Sequence, residues 1–134
     1  MHIRKAQAQD LPALSRLDRH VTEKELQWLI SRGRVLVAEE NRRVIGWLRY
    51  NLFWDNTPFM NMLYLLEPCR GMGHGKQLVL HWEAEMRGEG YPCVMTSTAS
   101  DEYAQHFYRR LGYRTVGGFT FRQDPFELLM MKEL

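Results

Sequence analysis

Apolar residues along the chain recur with two periods, and the switches between them mark out the elements. Leu11, Leu14 and Leu17 follow Asp10 at intervals of three, with Pro12 where a first helical turn tolerates it, so Asp10 to Asp18 is predicted helical. Leu26, Leu29 and Ile30 give one apolar face to a second helix from Thr22 to Arg32, with Thr22 and Glu25 spaced as a capping box and Gly33 as the stop. Elsewhere in the first half the pattern suits strands: a short one over His2 to Lys5, then Arg34 to Glu40, Arg43 to Trp54 and Phe59 to Leu66. Asn41-Arg42 and Asp55-Asn56-Thr57-Pro58 read as the turns between them. The near-continuous apolar stretch Met62 to Leu66 suits a central strand covered on both faces.

In the second half, Leu78, Val79, Trp82 and Met86 mark one side of a helix that runs to about Arg87 and ends at Gly88 and Gly90. Tyr91 to Thr98 is predicted to be a strand. Ser100 is expected to cap a helix with Asp101 and Glu102 in its first turn and Arg109 and Arg110 in its last, charges that complement the helix dipole. Ala104, Phe107, Tyr108 and Leu111 form its apolar stripe, and Gly112 its C-cap. Strands near Thr115–Phe121 and Glu127–Lys132 close the chain. The order is β-α-α-β-β-β-α-β-α-β-β. A central strand–helix–strand crossover predicts a parallel pair inside an otherwise mixed sheet, with helices on both faces: an α/β fold.

Composition narrows the function classes. A chain of 134 residues, 45% apolar and 25% charged, fits one globular domain, 1–134. The net charge of +2 comes without a basic run, which argues against a nucleic-acid partner. No apolar stretch approaches the ~20 residues that span a bilayer, and the start Met1-His2-Ile3-Arg4-Lys5 has no apolar signal region, so no membrane is expected. Cys69 and Cys93 have no metal-ligand spacing, His81 and Glu85 alone make no metal site, and the expected location is the cytoplasm.

The chemistry concentrates in Arg70-Gly71-Met72-Gly73-His74-Gly75-Lys76, which joins the apolar strand to the next helix. Alternating glycines let a backbone turn sharply and approach a ligand, and a helix start offers unpaired N–H groups and partial positive charge. Together they suit a diphosphate, with Arg70 and Lys76 adding charge. Two nucleotide motifs fail here. A Walker loop would need glycine at Arg70 and a hydroxyl residue at Gln77, and a dinucleotide fingerprint would need glycine at Lys76 or Leu78.

Arg70-Gly71-Met72-Gly73-His74-Gly75 resembles the Arg/Gln-x-x-Gly-x-Gly/Ala signature of the GNAT acyltransferases. The segment from Ala104 through Tyr108 to Gly112-Tyr113 resembles the family's later Ala-x-x-x-Tyr-x-x-x-Gly-Phe/Tyr motif, and the element order agrees over essentially the whole chain. The resemblance implies a largely antiparallel seven-stranded sheet with a central parallel pair, and transfer of an acetyl group from acetyl-coenzyme A to an amine. It further implies that the amides of Gly71, Met72, Gly73, His74, Gly75 and Lys76 hold the cofactor diphosphate beside Arg70. Leu63, Leu65 and Leu66 would bond the pantetheine arm through their main chain, and an amide at Leu65 would polarise the acetyl carbonyl. Asp101 and Ala104 would lie on the cofactor, Tyr108 would protonate the leaving thiolate, and a homodimer through the C-terminal strands is compatible. Two departures stand out: Asp101 where the family often has Asn, and a loop before Arg70 about one residue shorter than usual.

No carboxylate occupies Phe59 to Met62, so no general base is visible. Asn61, Tyr64, Thr96 and Ser97 are candidates to hold a relaying water, and Glu23 and Glu25 to line the acceptor side. Trp47, Tyr50, Phe53 and Trp54 crowd one strand as core or as an aromatic pocket suited to an amine. Tyr108 is equally placed to be a core tyrosine on its helix stripe. The alternatives to an enzyme are a non-catalytic coenzyme A-binding module and a plain structural domain.

Overall fold

The computed structural model describes every residue from Met1 to Leu134. Its strands are β1 (His2–Lys5), β2 (Val35–Glu40), β3 (Arg43–Phe53), β4 (Thr57–Leu65), β5 (Cys93–Ala99), β6 (Arg114–Phe119) and β7 (Glu127–Glu133). Its helices are α1 (Leu11–Leu17), α2 (Glu23–Ser31), α3 (His74–Gly88) and α4 (Ala104–Arg110). The element order is the predicted one. The strands form a seven-stranded mixed sheet in the order β1-β2-β3-β4-β5-β7-β6, parallel between β4 and β5 at Phe59–Met95 and Met60–Thr96. No helix is long and apolar enough to cross a membrane. The backbone divides into two compact units, Met1–Asn51 with Met62–Trp82, and Leu52–Asn61 with Glu83–Leu134.

In the first unit, Leu14, Leu26, Leu29 and Ile30 from the helical pair pack with Val35, Val37 and Trp47 of β2 and β3, and Met62 lies against the same cluster. Thr22 caps α2 by accepting from the Glu25 N–H at 3.1 Å. Asn41 and Arg42 both take positive φ, 53° and 63°, the conformation of a tight two-residue hairpin turn without the usual glycine.

The connection from α1 to α2 is fixed by a buried charge. Asp18, its side chain fully enclosed, accepts from Arg49 Nε at 2.7 Å, Trp47 Nε1 at 3.0 Å and the His20 N–H at 3.2 Å. Burial alone would raise its carboxyl, but the Arg49 guanidinium, with the His20 and Trp47 donors, holds it below the usual carboxylate value.

In the second unit β5, β7 and β6 pair antiparallel, with Met130 and Val94 fully buried. A second enclosed carboxylate, Glu83 on α3, accepts from Tyr113 Oη at 2.8 Å and Lys132 Nζ at 2.7 Å. Burial, then the Glu83 charge, pushes the Tyr113 phenol well above its ordinary value.

Two expectations need correction. The last helix starts at Ala104, four residues after Ser100: the Ser100 N–H donates to the Phe126 carbonyl, the Glu102 N–H bonds back to Ala99, and residues 100–103 form a turn. Trp54 is not core. It is 80% exposed in a turn where Trp54 and Asp55 take φ of 55° and 63°, so β4 begins at Thr57 and the turn falls earlier than the sequence suggests.

Asp18→Ala strands the buried Arg49 guanidinium and is expected to cost about 3–5 kcal/mol in urea unfolding. Because the folded carboxyl lies below its unfolded value of ~3.9, the ion pair contributes stability above about pH 4. That contribution should disappear as pH falls through the folded value in the parent protein and be missing from the variant at every pH.

Candidate active site

The first unit carries the glycine loop. Gly71 and Gly73 take φ of +80° and +82°, a conformation side chains rarely adopt, and a Cβ at either would meet nothing within 4 Å. The loop therefore faces open space. The first helical bond at this end of α3 runs from the Gln77 N–H to the Gly73 carbonyl at 3.0 Å. The amides of His74, Gly75 and Lys76 have no acceptor four residues back within the helix, and Gly73 has no side chain to cap them. The Nδ1 atom of His74 is enclosed and without a partner. An uncapped helix start beside two left-handed glycines fits a diphosphate.

The strand leading into the loop ends in a defined way. The Leu66 N–H donates to the Ile45 carbonyl of β3 at 2.8 Å. Alternation along an extended strand then directs the main chain of Leu65 away from β3. The Leu65 carbonyl on that side accepts from Arg70 Nε at 2.9 Å, and the Arg70 guanidinium lies 5.1 Å from the centre of the Tyr64 ring. Gly46 on β3 allows the approach: a Cβ there would overlap the Leu65 side chain and lie 2.7 Å from the Tyr64 carbonyl.

A cavity of about 220 Å³ opens on the Met62 and Tyr64 side of β4, lined also by Leu17, Asp18, Arg19, His20 and Trp47. Tyr64 stacks on Trp47 with ring centres 4.9 Å apart. Glu25 lines a different depression with Trp28 and Asn51, and Glu23 is exposed on α2.

Tyr108 belongs to the second unit. It is 7% exposed and meets Tyr113 edge-on at 5.6 Å. Burial pushes its phenol up to about 12, with an opposing hydrogen bond to Thr96 and a further rise from Glu102. Thr96 is buried with its hydroxyl 3.0 Å from the Met60 carbonyl, so its one proton is shared between that carbonyl and the Tyr108 oxygen. Ser97 is half-buried, Asn61 is exposed, Asp101 is exposed in the turn before α4, and Ala104 opens that helix half-buried.

The structure thus joins Leu63, Leu65, Leu66 and residues 70–76 in one unit, and sets Tyr108, Thr96, Asp101 and Ala104 in the other. Sequence reasoning missed Gly46, Asp18 and Arg49. A lone glycine within a strand pattern signals close backbone approach, so Gly46 carried a readable sign; the two charges carried none.

The family model described as Acetyltransferase (GNAT) family matches residues 3–113. The chain belongs to that family. Solved structures agree on the fold. Ard1 from Thermoplasma volcanium superposes with a TM-score of 0.87 at 17% identity, covering 99% of this chain and 97% of that one. The PaiA N-acetyltransferase from Thermoplasma acidophilum, in complex with coenzyme A, gives 0.82 at 18%, covering 99% and 98%. Ribosomal-protein-alanine N-acetyltransferase from Brucella melitensis gives 0.83 at 24%, covering both chains completely. A comparison with curated protein sequences finds no match.

Two glycine substitutions separate close approach from mere flexibility. Gly46→Ala must displace the Tyr64 carbonyl and is expected to cost about 1–3 kcal/mol in urea unfolding. Gly88→Ala, at the end of α3 with open space around it, should leave stability unchanged or raise it by up to about 1 kcal/mol.

Proposed function

We propose that this chain transfers an acetyl group from acetyl-coenzyme A directly to a primary amine, yielding the N-acetylated amine and free coenzyme A. The observation that carries this reading is the uncapped start of α3 behind two left-handed glycines, in a chain of the acetyltransferase family. Bound acetyl-coenzyme A supplies a diphosphate to be gripped and a thioester activated toward amines.

In this reading the amides of Gly71, Met72, Gly73, His74, Gly75 and Lys76 hold the diphosphate, with Arg70 and Lys76 balancing its charge. The main-chain edge at Leu63 and Leu65 bonds the pantetheine arm. Leu66 contributes by anchoring that edge, because its own N–H is committed to Ile45. The Leu65 carbonyl accepts from Arg70 Nε and keeps a second lone pair with which to accept from the arm. The Leu65 N–H, directed away from β3, polarises the acetyl carbonyl. Asp101 and Ala104 complete the cofactor contacts.

Tyr108 serves as the hydrogen-bond donor to the leaving sulfur, in place of the full proton transfer that the family resemblance implies. A phenol at about 12 stays neutral throughout the working range, and it exceeds an ordinary thiol value by roughly three pH units. Its contribution is therefore a hydrogen bond that stabilises the departing sulfur in the transition state; full proton release to the thiolate would be uphill. No carboxylate lies on β4, so the amine loses its proton to a water, with Asn61, Tyr64 and Ser97 assigned to hold that water. Thr96 leaves the relay, since its proton is shared between the Met60 carbonyl and the Tyr108 oxygen.

The whole chain, 1–134, is taken as the catalytic domain. Two free thiols, Cys69 and Cys93, support a reducing, cytoplasmic setting. Neither nucleic acid nor membrane enters the reading. The β6 edge, exposed at every position, is where a second copy would pair. No observation favours the non-catalytic binding module.

Calorimetry with coenzyme A and a thiol-release assay over an amine panel test the proposal. Tyr108→Phe should lower kcat by about 100-fold or more while changing the coenzyme A Kd by less than about twofold. Retained coenzyme A binding with no thiol release from any amine would leave only the binding module. In the parent enzyme, kcat/KM should rise with amine deprotonation and show no loss attributable to Tyr108 between pH 7 and 10.

A further inference from the structure

The cavity beside Tyr64 points to the acceptor's chemical class, an inference that rests on the transferase reading above. Its position relative to the assigned reaction point follows from the strand. Tyr64 precedes Leu65 by one residue, a rise of about 3.3 Å. The Leu65 main chain lies in the plane of the sheet, so an amine can reach a carbonyl held there from one face or the other. On the Leu65 face, the Leu65 side chain fills the space over Gly46. On the Met62 and Tyr64 face lies the open cavity. The amine therefore arrives from the second face, and whatever substituent it carries enters that cavity.

The lining then selects the substituent. At about 220 Å³ the cavity falls below the ~300–1,000 Å³ of pockets that enclose drug-sized ligands, so it admits one side-chain-sized group. Its apolar walls are Leu17, Met62 and the stacked Trp47 and Tyr64 rings. Asp18 is the one carboxylate among the lining residues. Its side chain is fully enclosed, paired to Arg49 and engaged by Trp47 and His20, so it offers no counter-charge to a ligand. The exposed polar side chains on the rim are Arg19 and His20, and Arg70 lies over Tyr64. A second ammonium group would enter a space with no free anion and a guanidinium on its border.

The geometry points to a primary amine whose substituent is apolar and uncharged, of about leucine or methionine side-chain size, and against polyamines and lysine-like acceptors. Met62, Tyr64 and Trp47 are the residues that set this preference. Such an amine is carried equally by a free amino-acid derivative and by the first residue of a polypeptide.

The test uses the full chain with saturating acetyl-coenzyme A and thiol release as the readout. Leucinamide, methioninamide, glycinamide and lysinamide are compared, together with the tripeptides Leu-Ala-Ala, Gly-Ala-Ala and Lys-Ala-Ala. The expected result is a kcat/KM for the Leu and Met acceptors about tenfold or more above the Gly and Lys acceptors, in the amides, the tripeptides or both. A preference confined to the tripeptides supports the inference and assigns the source to polypeptide. Met62→Ala should shrink the Leu-to-Gly ratio severalfold, and Met62→Glu should shift the preference toward the Lys acceptors. If thiol release occurs but the Lys acceptors are preferred, or Leu and Gly acceptors are equal, the inference is overturned while the transferase reading stands. Absence of thiol release from every amine overturns both.

Discussion

The end of β4 is set by the hydrogen bond from the Leu66 N–H to the Ile45 carbonyl and by the missing side chain at Gly46. These two features fix which way each main-chain group and each side chain of the strand points. With Leu66 anchored on β3, the Leu65 edge is presented outward; with Gly46 bare, the Leu65 side chain has a place to lie. Met62 and Tyr64 are left facing the α1–α2 connection. A slip of one residue would exchange these roles, putting Tyr64 against Gly46 and closing the cavity. The cofactor edge and the acceptor side are thus two consequences of a single register.

Arg70 links that strand to the loop that follows. It donates to the Leu65 carbonyl and lies over the Tyr64 ring, so its side chain touches the strand edge and the cavity wall at once. The loop beyond it is open because Gly71 and Gly73 adopt a backbone that excludes side chains from the space a diphosphate needs. The chain does not cap the next helix with its own atoms, and the resulting row of unpartnered amides is the clearest sign that an anion belongs there.

Much of this was legible in the sequence, for identifiable reasons. Periodicity located α1, α2, α3 and the strands that bury a face; β6, exposed at every position, was placed by its order between the Gly112 cap and the last strand. The glycine loop stood out because alternate glycines at a helix start serve little structural purpose. Ser100-Asp101-Glu102 misled because local capping chemistry was read without the Phe126 carbonyl, which lies far along the chain and draws the Ser100 amide away. Trp54 misled because aromatic crowding marks core only where the backbone stays extended, and it turns there. Asp18 and Glu83 were unreadable: their side-chain partners lie 29–31 and 30–49 residues away, and a carboxylate in a sequence looks the same whether enclosed or solvated.

The Asp18–Arg49 pair separates what holds the cavity from what the cavity admits. Its charges are neutralised inside the frame, so the frame tolerates drift in the residues that face the guest. Leu17 lies on the cavity rim and Met62 on its wall, and neither takes part in the ion pair. Changes at these two positions can retune which amines are accepted while the α1–α2 connection keeps its anchor. Of the two, Leu17 is the position where drift carries little folding penalty, because it is exposed on the rim while Met62 also packs against the core of the first unit.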